Sequence, residues 1–253
     1  MKIINGGICA PKGFLASATE ANIKYKNRTD MAMIFSKVPA ISAGVYTTNL
    51  VKAAPVLWDR KITDSETVVN AIVINSGIAN ACTKYEGMEY CKMSAKKAAD
   101  KLGVGESSIL LASTGVIGMQ LPIDKICAGI ESLSDSLEQG EKAANEAAKA
   151  IMTTDTVSKE VAIEFEISGK PVKMGAMCKG SGMIHPNMCT MLGFITTDVN
   201  ISKELLLKAL REDVVDTFNM VSVDGDTSTN DSLIILANGL AENEKIVDEN
   251  SED

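Results

Sequence analysis

Residues 179–194 read KGSGMIHPNMCTMLGF and place Thr190 directly after the small residue Cys189, in a run with three glycines and one proline. A threonine that follows a small residue in strained, glycine-rich backbone is what self-cleavage of a peptide bond requires. The hydroxyl attacks the preceding carbonyl, an ester forms, and hydrolysis leaves Thr190 as a new N-terminus. Its free α-amine can then act as the base for its own hydroxyl. The alternative interpretation is that Thr190 simply begins a strand that continues through 191–199.

The chain contains a single histidine, His185, and this limits the catalytic arrangements that the sequence can build. A Ser-His-Asp or Cys-His arrangement would have to use this one histidine. An N-terminal amine has an unperturbed pKa of about 7.7–8.0, so it already titrates near neutrality. If the protein carries out acyl chemistry, an N-terminal amine is therefore the economical base.

Length and composition are those of a soluble globular protein. The chain has 253 residues, 45% of them hydrophobic and 23% charged, which is enough for one large domain or two small ones with a buried core. The net charge of −8 argues against nucleic acid or an anionic membrane as partner. No apolar run approaches the length of a membrane span, and the N-terminus lacks the hydrophobic segment of a secretory signal. We therefore expect a cytoplasmic protein.

The cysteines show no metal-binding or disulfide pattern. Six of them are scattered without a CxxC pair, and one histidine cannot complete a zinc site. We expect no metal and no disulfide framework.

Apolar periodicity predicts strands and helices mixed along the whole chain. Short β-branched or alternating runs predict a hairpin over 161–177 and strands over 68–76, 109–112, 191–199 and 232–237. Apolar residues at spacings of three and four predict helices after Ser202 and over 88–102, 123–137 and 141–152. The pattern indicates an α/β or α+β fold with layered packing. The acidic segment 241–253 is expected to be mobile, because it has almost no apolar side chain with which to offset its ordering entropy.

The segment 113–118 (STGVIG) is a candidate oxyanion hole. A turn of small residues after a buried strand exposes backbone N–H groups, which is what an oxyanion hole needs. Thr114 adds a hydroxyl donor, and Gly115 allows close approach of a substrate. A plain strand-to-helix connection is the alternative.

Three further polar features are open to two interpretations each. The segment 153–156 (TTDT) either binds the head group of an amino-acid substrate or caps backbone groups. Lys179 either holds a carboxylate or is a solvated surface charge. The segment 222–231 (SVDGDTSTND) superficially resembles a calcium loop, but a glycine at the sixth position and a glutamate at the twelfth do not line up. A hydroxyl-rich loop that lines a site, or satisfies its own backbone, fits better.

Several ordered motifs together resemble those of a known family. They are GICAPKGF (7–14), AGVYTTNLVKAAPV (43–56), INSGIANACT (74–83), STGVIG, TTDT, KGSGMIHPNMCTMLGF and SVDGDTSTND. The chain is similar over nearly all of its length to the glutamate N-acetyltransferase/ornithine acetyltransferase family of arginine biosynthesis. The resemblance implies a layered α/β sandwich that is similar to, but distinct from, the fold of the N-terminal nucleophile hydrolases.

The resemblance also implies a reaction and an assembly. The chain would cut itself between Cys189 and Thr190, giving an α chain (1–189) and the start of a β chain (190–253). Thr190 would then take an acetyl group from N2-acetyl-L-ornithine and pass it to L-glutamate. No cofactor is implied, although acetyl-CoA is a possible second donor. The processed chains would assemble as an α2β2 heterotetramer in the cytoplasm.

The resemblance assigns roles to six residues. Thr114 and Gly115 match the oxyanion-hole pair, whereas Thr156, Lys179 and Thr190 match positions that contact the substrate. Thr190 is also the nucleophile and, with Cys189, forms the cleavage site.

Three departures from the family pattern stand beside these expectations. Cys189 replaces the usual alanine, and Ile78 replaces an asparagine. Family chains also continue past the position of Asp253 into a DGEGATK motif, so this chain resembles a C-terminally truncated member. Truncation predicts that the strand around 233–236 is poorly covered. The alternatives are an N-terminal-nucleophile aminopeptidase or amidohydrolase, in which water replaces glutamate, and an inactive truncated remnant.

Overall fold

One long strand, β3 (Met31–Tyr46), belongs to two sheets and determines how they stack. Its first half pairs with neighbours in one sheet over Met31–Phe35, and its second half pairs in the other sheet over Ile41–Tyr46. The register shifts between these halves, around Pro39, which has no N–H to donate to a ladder. The strand can therefore change sheets at this point.

The computed structural model describes residues 1–182 and 191–250. Besides β3, it contains strands β1 (Lys2–Ile4), β2 (Phe14–Thr19), β4 (Val69–Ile78), β5 (Ile109–Val116), β6 (Lys159–Ile167), β7 (Lys170–Lys179), β8 (Leu192–Thr197) and β9 (Ser232–Ala237). Its α-helices are α1 (Ala54–Thr63), α2 (Lys84–Leu102), α3 (Ile123–Asp135), α4 (Glu141–Ala150) and α5 (Lys203–Asp216).

The two sheets form a layered sandwich. One sheet has the order β2–β3–β4–β5, and the other has the order β1–β6–β7–β8–β9–β3. The alanine face of α4 and apolar side chains of both sheets, including Phe14 and Phe194, form the central core. Helices α2 and α3 pack on the outer face of the first sheet, and α5 packs on the outer face of the second. This architecture confirms the predicted α/β layered class.

The sequence patterns located most elements correctly. The strands predicted around 68–76, 109–112, 191–199 and 232–237, the hairpin and the four helices are all present. Helix α5 begins after Ser202, whose hydroxyl accepts a hydrogen bond from the Leu205 N–H. Strand β5 is longer than predicted, so most of the segment 113–118 is strand rather than turn. Strands β1 to β3 and helix α1 were not predicted.

The expectation that 233–236 is poorly covered is wrong. Strand β9 lies between β8 and β3, and all six of its residues are buried. Its two faces pack against the central core and against the cluster under α5, so no apolar face of this strand is open.

Residues 242–250, the described part of the acidic C-terminal segment, are also more ordered than their composition predicts. Asn243 is buried and its side chain exchanges hydrogen bonds with the backbone of Asn200, while Ile246 pairs with Ile201. Within 1–182 and 191–250, no helix combines the length and the apolar character needed to cross a bilayer.

Candidate active site

An open cleft of about 490 Å³ lies where the neighbouring parallel strands β4 and β5 end. Ser76 and Gly77 at the end of β4 line it, as do Thr114 and Gly115 at the end of β5. Lys179, the last residue of β7, reaches the same cleft from the other sheet. We call Thr114, Gly115 and Lys179 the floor. The sandwich therefore brings together three of the residues predicted for the site.

Lys179 is buried and contacts Thr114 directly. Its side chain is 3% exposed, and Nζ donates a hydrogen bond of 3.1 Å to Thr114 Oγ1. Burial lowers the pKa of Lys179, although Asp155 and Asp231 act in the opposite direction. The alternative of a solvated surface lysine is therefore wrong.

Only glycine fits at position 115 without a steric clash. Its φ is +132°, and a Cβ at this position would lie 2.2 Å from the carbonyl carbon of Gly77 and 2.6 Å from the amide nitrogen of Ile78. Strands β4 and β5 thus approach backbone to backbone here, and a side chain would force them apart. The close approach keeps this wall of the cleft free of side chains.

The segment 153–156 is held by a buried carboxylate. Asp155 accepts hydrogen bonds from Lys159 Nζ at 2.7 Å, from the Gly180 N–H at 2.8 Å and from the Thr153 N–H at 3.3 Å. Burial favours a raised pKa for Asp155, but these donors hold the pKa below its usual value. The segment is thereby tied to Gly180, the residue after Lys179.

Thr156 lies apart from the floor. It is exposed and lines a neighbouring groove with Lys149 and Val157, whereas Thr153 and Thr154 line the cleft itself. The structure therefore does not bring Thr156 into the same cleft as Thr114 and Lys179, and its role in substrate binding stays a prediction.

The predicted nucleophile Thr190 and its neighbour Cys189 lie outside the described residues. The next residue, Met191, donates its N–H to Asp231 Oδ1 at 3.0 Å, and its carbonyl accepts the Ser232 N–H at 3.0 Å. The start of the predicted β-chain strand is therefore anchored to a buried carboxyl group.

Sequence reasoning did not single out Asp231. Burial raises its pKa to about 8, against the effects of the Met191 N–H, the Ser228 hydroxyl and Lys179. The sequence signal that could have identified it is its position between a hydroxyl-rich loop and the buried strand β9. Polar residues in a loop next to the end of a strand line a functional site more often than residues within the strand do.

The loop 222–231 supports the cleft from behind. Asn230 Nδ2 donates to the carbonyls of Ala79 at 2.6 Å and Ser113 at 2.8 Å, so the loop braces the ends of β4 and β5. No group of three or more potential metal ligands occurs among the described residues.

The mouth of the cleft carries a second set of residues that sequence reasoning missed. Lys24, Tyr25 and Arg28, which we call the rim, lie in the loop between β2 and β3. Arg28 Nη2 donates to the carbonyls of Met152 and Thr153, so it connects this loop to the segment 153–156. The available signal was a cation at every second position of 24–28, namely Lys24, Lys26 and Arg28.

Comparison with known proteins places the chain in a family. The model of the ArgJ family matches residues 15–252. The arginine biosynthesis bifunctional protein ArgJ of Lactococcus lactis is 50% identical over 252 residues, which are 100% of this chain and 62% of the relative. The chain thus spans less than two thirds of the length of that relative.

Solved structures agree with the family and with the fold. The structure of ornithine acetyltransferase from Mycobacterium tuberculosis, complexed with ornithine, matches with a TM-score of 0.66 and 36% identity, over 74% of this chain and 96% of the solved chain. An L-aminopeptidase D-Ala-esterase/amidase from Ochrobactrum anthropi, a variant of the Ntn hydrolase fold, matches with a TM-score of 0.58 over 94% of this chain and 76% of its own, but at 11% identity it shows the fold alone. By its sequence motifs, its family-model match and its fold, the chain belongs to the ArgJ family.

Proposed function

We propose that this chain transfers an acetyl group from N2-acetyl-L-ornithine to L-glutamate through an acetyl-Thr190 intermediate, after self-cleavage between Cys189 and Thr190. The observation that carries the proposal is the contact between buried Lys179 and Thr114 in a cleft walled by Gly115. Acyl transfer develops negative charge on a carbonyl oxygen. A buried ammonium and a hydroxyl that are already in place stabilise such charge without reorganisation.

The charge of the cleft supports an anionic amino-acid substrate. Among the residues that the structure describes, three cations line it, Lys24, Arg28 and Lys179, although the chain as a whole carries a net charge of −8. The acidic lining residue, Asp30, turns its two oxygens to the Ala21 and Ile23 N–H groups, both at 2.7 Å. The cleft therefore presents net positive charge to a ligand, which attracts the α-carboxylate of either substrate and the second carboxylate of glutamate.

The length of a solved relative supports the proposed cleavage. The ornithine acetyltransferase chain from M. tuberculosis is almost fully covered by 74% of this chain, so it is about as long as residues 1–189. The curated Lactococcus relative is much longer, because the whole of this chain covers only 62% of it. A separate polypeptide of the shorter length is what cleavage before Thr190 produces.

Intact mass of the purified protein tests the cleavage. We expect two fragments that separate after Cys189, and a single species of full length would contradict self-processing. Thr190→Ala should abolish both cleavage and acetyl transfer, whereas Thr190→Ser, which keeps a hydroxyl, should retain part of each. Acetyl transfer by Thr190→Ala would overturn the role of Thr190 as nucleophile.

Incubation with acetylornithine alone tests the intermediate and the acceptor. The peptide that begins with Thr190 should gain one acetyl group, and glutamate should then discharge it as N-acetylglutamate. Repeated turnover without glutamate would identify a hydrolase instead. The same assay with acetyl-CoA tests the second donor, and native mass tests the proposed α2β2 assembly.

A further inference from the structure

The rim belongs to a loop with a defined conformation. Both oxygens of Asp30, which is 4% exposed, accept backbone N–H groups of the loop, and Glu20 Oε1 accepts the Asn27 N–H at 2.9 Å. Ile23 is buried and anchors the loop in the core beneath it. The rim residues are thus held at the mouth of the cleft before any ligand arrives, which lowers the entropic cost of binding.

Two cations flank one exposed ring at the rim. Lys24 Nζ lies 4.8 Å from the centroid of the Tyr25 ring, and Arg28 Cζ lies 6.0 Å from it. Contact with a ring orients a cation but does not neutralise it. Within 1–182 and 191–250, no carboxylate forms an ion pair with Lys24 or Arg28. Both charges therefore remain available to an anion in the cleft.

The two proposed amino-acid substrates differ in the charge that they would bring to this rim. Glutamate and N2-acetylornithine have the same arrangement around the α-carbon, but the side chain of glutamate ends in a carboxylate and that of ornithine ends in an ammonium. A guanidinium and an ammonium attract the first and repel the second. The proposed function takes the α-nitrogen to react at the floor, which leaves the mouth of the cleft for the side chain.

We propose that Lys24 and Arg28 form a subsite for the side-chain carboxylate of the acyl acceptor and so select an acidic amino acid. This inference rests on the proposed function, because it takes the α-nitrogen to react at the floor. The ring of Tyr25 lies close to both cations and can orient them. The subsite favours glutamate as acceptor and favours release of ornithine after the first half-reaction.

Binding of N-acetyl-L-glutamate and of its neutral isostere N-acetyl-L-glutamine, measured by calorimetry in the absence of a second substrate, tests the subsite. The unmodified protein should bind the acidic ligand more tightly. Lys24→Gln should weaken that binding about fivefold, the upper range for one exposed ion pair, and leave binding of the neutral ligand unchanged. Lys24 is exposed, so this substitution does not endanger the fold.

Lys26→Gln is the matched control. Lys26 is an exposed lysine of the same loop that does not line the cleft, so its loss should change binding less than twofold. Equal effects of the Lys24 and Lys26 substitutions, equal weakening of both ligands, or no binding of either ligand to the unmodified protein would each overturn the subsite. Weakened binding of CoA alone in Lys24→Gln would identify a phosphate site instead.

The two proposals fail separately. If the protein prefers the acidic ligand but never transfers acetyl, the subsite is supported and the proposed function is contradicted. If the protein transfers acetyl and Lys24→Gln has the same KM for glutamate as the unmodified chain, the function is supported and the subsite is contradicted.

Discussion

The floor and the rim of the cleft both present positive charge, but the protein holds that charge in two different ways. At the floor, Lys179 is almost fully buried and donates to Thr114, at the ends of strands whose register fixes their position. At the rim, Lys24 and Tyr25 are exposed on a loop held by Asp30. A buried charge in fixed geometry acts strongly on a reacting group, whereas an exposed charge is screened by water and salt. We infer that the floor supports chemistry and the rim supports selection.

Gly115→Ala should have the largest effect, because it breaks the geometry of the floor. The new Cβ would overlap the backbone of Gly77 at a φ of +132°, so unfolding free energy should fall by about 3–5 kcal/mol. Gly118→Ala is the control, since φ is also positive there but nothing lies within 4 Å of the new Cβ. It should cost only about 1 kcal/mol. Urea denaturation measures both, and equal losses would contradict the overlap.

Lys179→Met tests whether the floor cation acts on the reaction rather than on the fold. It should lower kcat/KM for acetyl transfer about 100-fold, the effect of losing one preorganised group. Stability should change by less than about 1 kcal/mol, because methionine fills the space and removes a buried charge. Lys170→Met, at the exposed start of the same strand, should change neither quantity. Loss of stability without loss of rate would remove Lys179 from the mechanism.

The buried carboxyl group of Asp231 should make stability depend on pH. Because its pKa is raised to about 8 in the folded protein, the folded state keeps a proton that the unfolded state loses from about pH 4 upward. Stability should therefore fall as the pH rises from about 4 to about 8.

Asp231→Asn isolates this contribution, because the buried Asp59, whose pKa is also raised, remains in both proteins. At about 1.4 kcal/mol per pKa unit, the variant should gain about 4 kcal/mol in unfolding free energy at pH 9 relative to pH 5, as measured by urea denaturation. Asp226→Asn, in the exposed part of the same loop, should leave the difference in unfolding free energy between pH 5 and pH 9 unchanged. A variant with the unmodified protein's pH dependence would contradict the burial argument.

A change in salt concentration should distinguish the rim from the floor, and it is the smallest of the predicted effects. Binding of N-acetylglutamate should weaken a few-fold between about 0.05 M and about 0.5 M NaCl, and Lys24→Gln should reduce that dependence. Acetyl transfer at saturating substrate should be nearly insensitive, because Lys179 is shielded from solvent. A salt response that Lys24→Gln leaves unchanged would assign the dependence to other charges.

The sequence and the structure agree best where local patterns dominate. The β-branched run of β4, the alternating hairpin of β6 and β7 and the capping serine of α5 each produced the predicted element. Strand β3 was missed because its two halves are largely buried in two different sheets, with exposed Lys37 and Pro39 between them, and so it carries no simple alternation. The covering of β9 was also missed, since it depends on α5 and on the central core, which come from distant parts of the chain.

For the candidate site, too, local sequence predicted some features and only the structure revealed the others. The motifs STGVIG and KGSGMIHPNMCTMLGF identified Thr114, Gly115 and Lys179 as candidates, but nothing in the local sequence shows that Lys179 is buried. Its partner Thr114 is 65 residues away, and Asp231 meets Met191 across 40 residues. Lys24 and Arg28 belong to none of the motifs that were recognised, and the cations at alternate positions of 24–28 gain a role only from the cleft that they line.

The sequence by itself determined the layered α/β class, the family resemblance and the threonine on which the proposed chemistry depends, because these follow from patterns within short segments. Only the tertiary structure decided which charges are buried, which glycine admits no side chain and which loop borders the cleft. Those properties arise from the stacking of two sheets joined by β3, and burial and register between distant segments exist only once that stacking has formed.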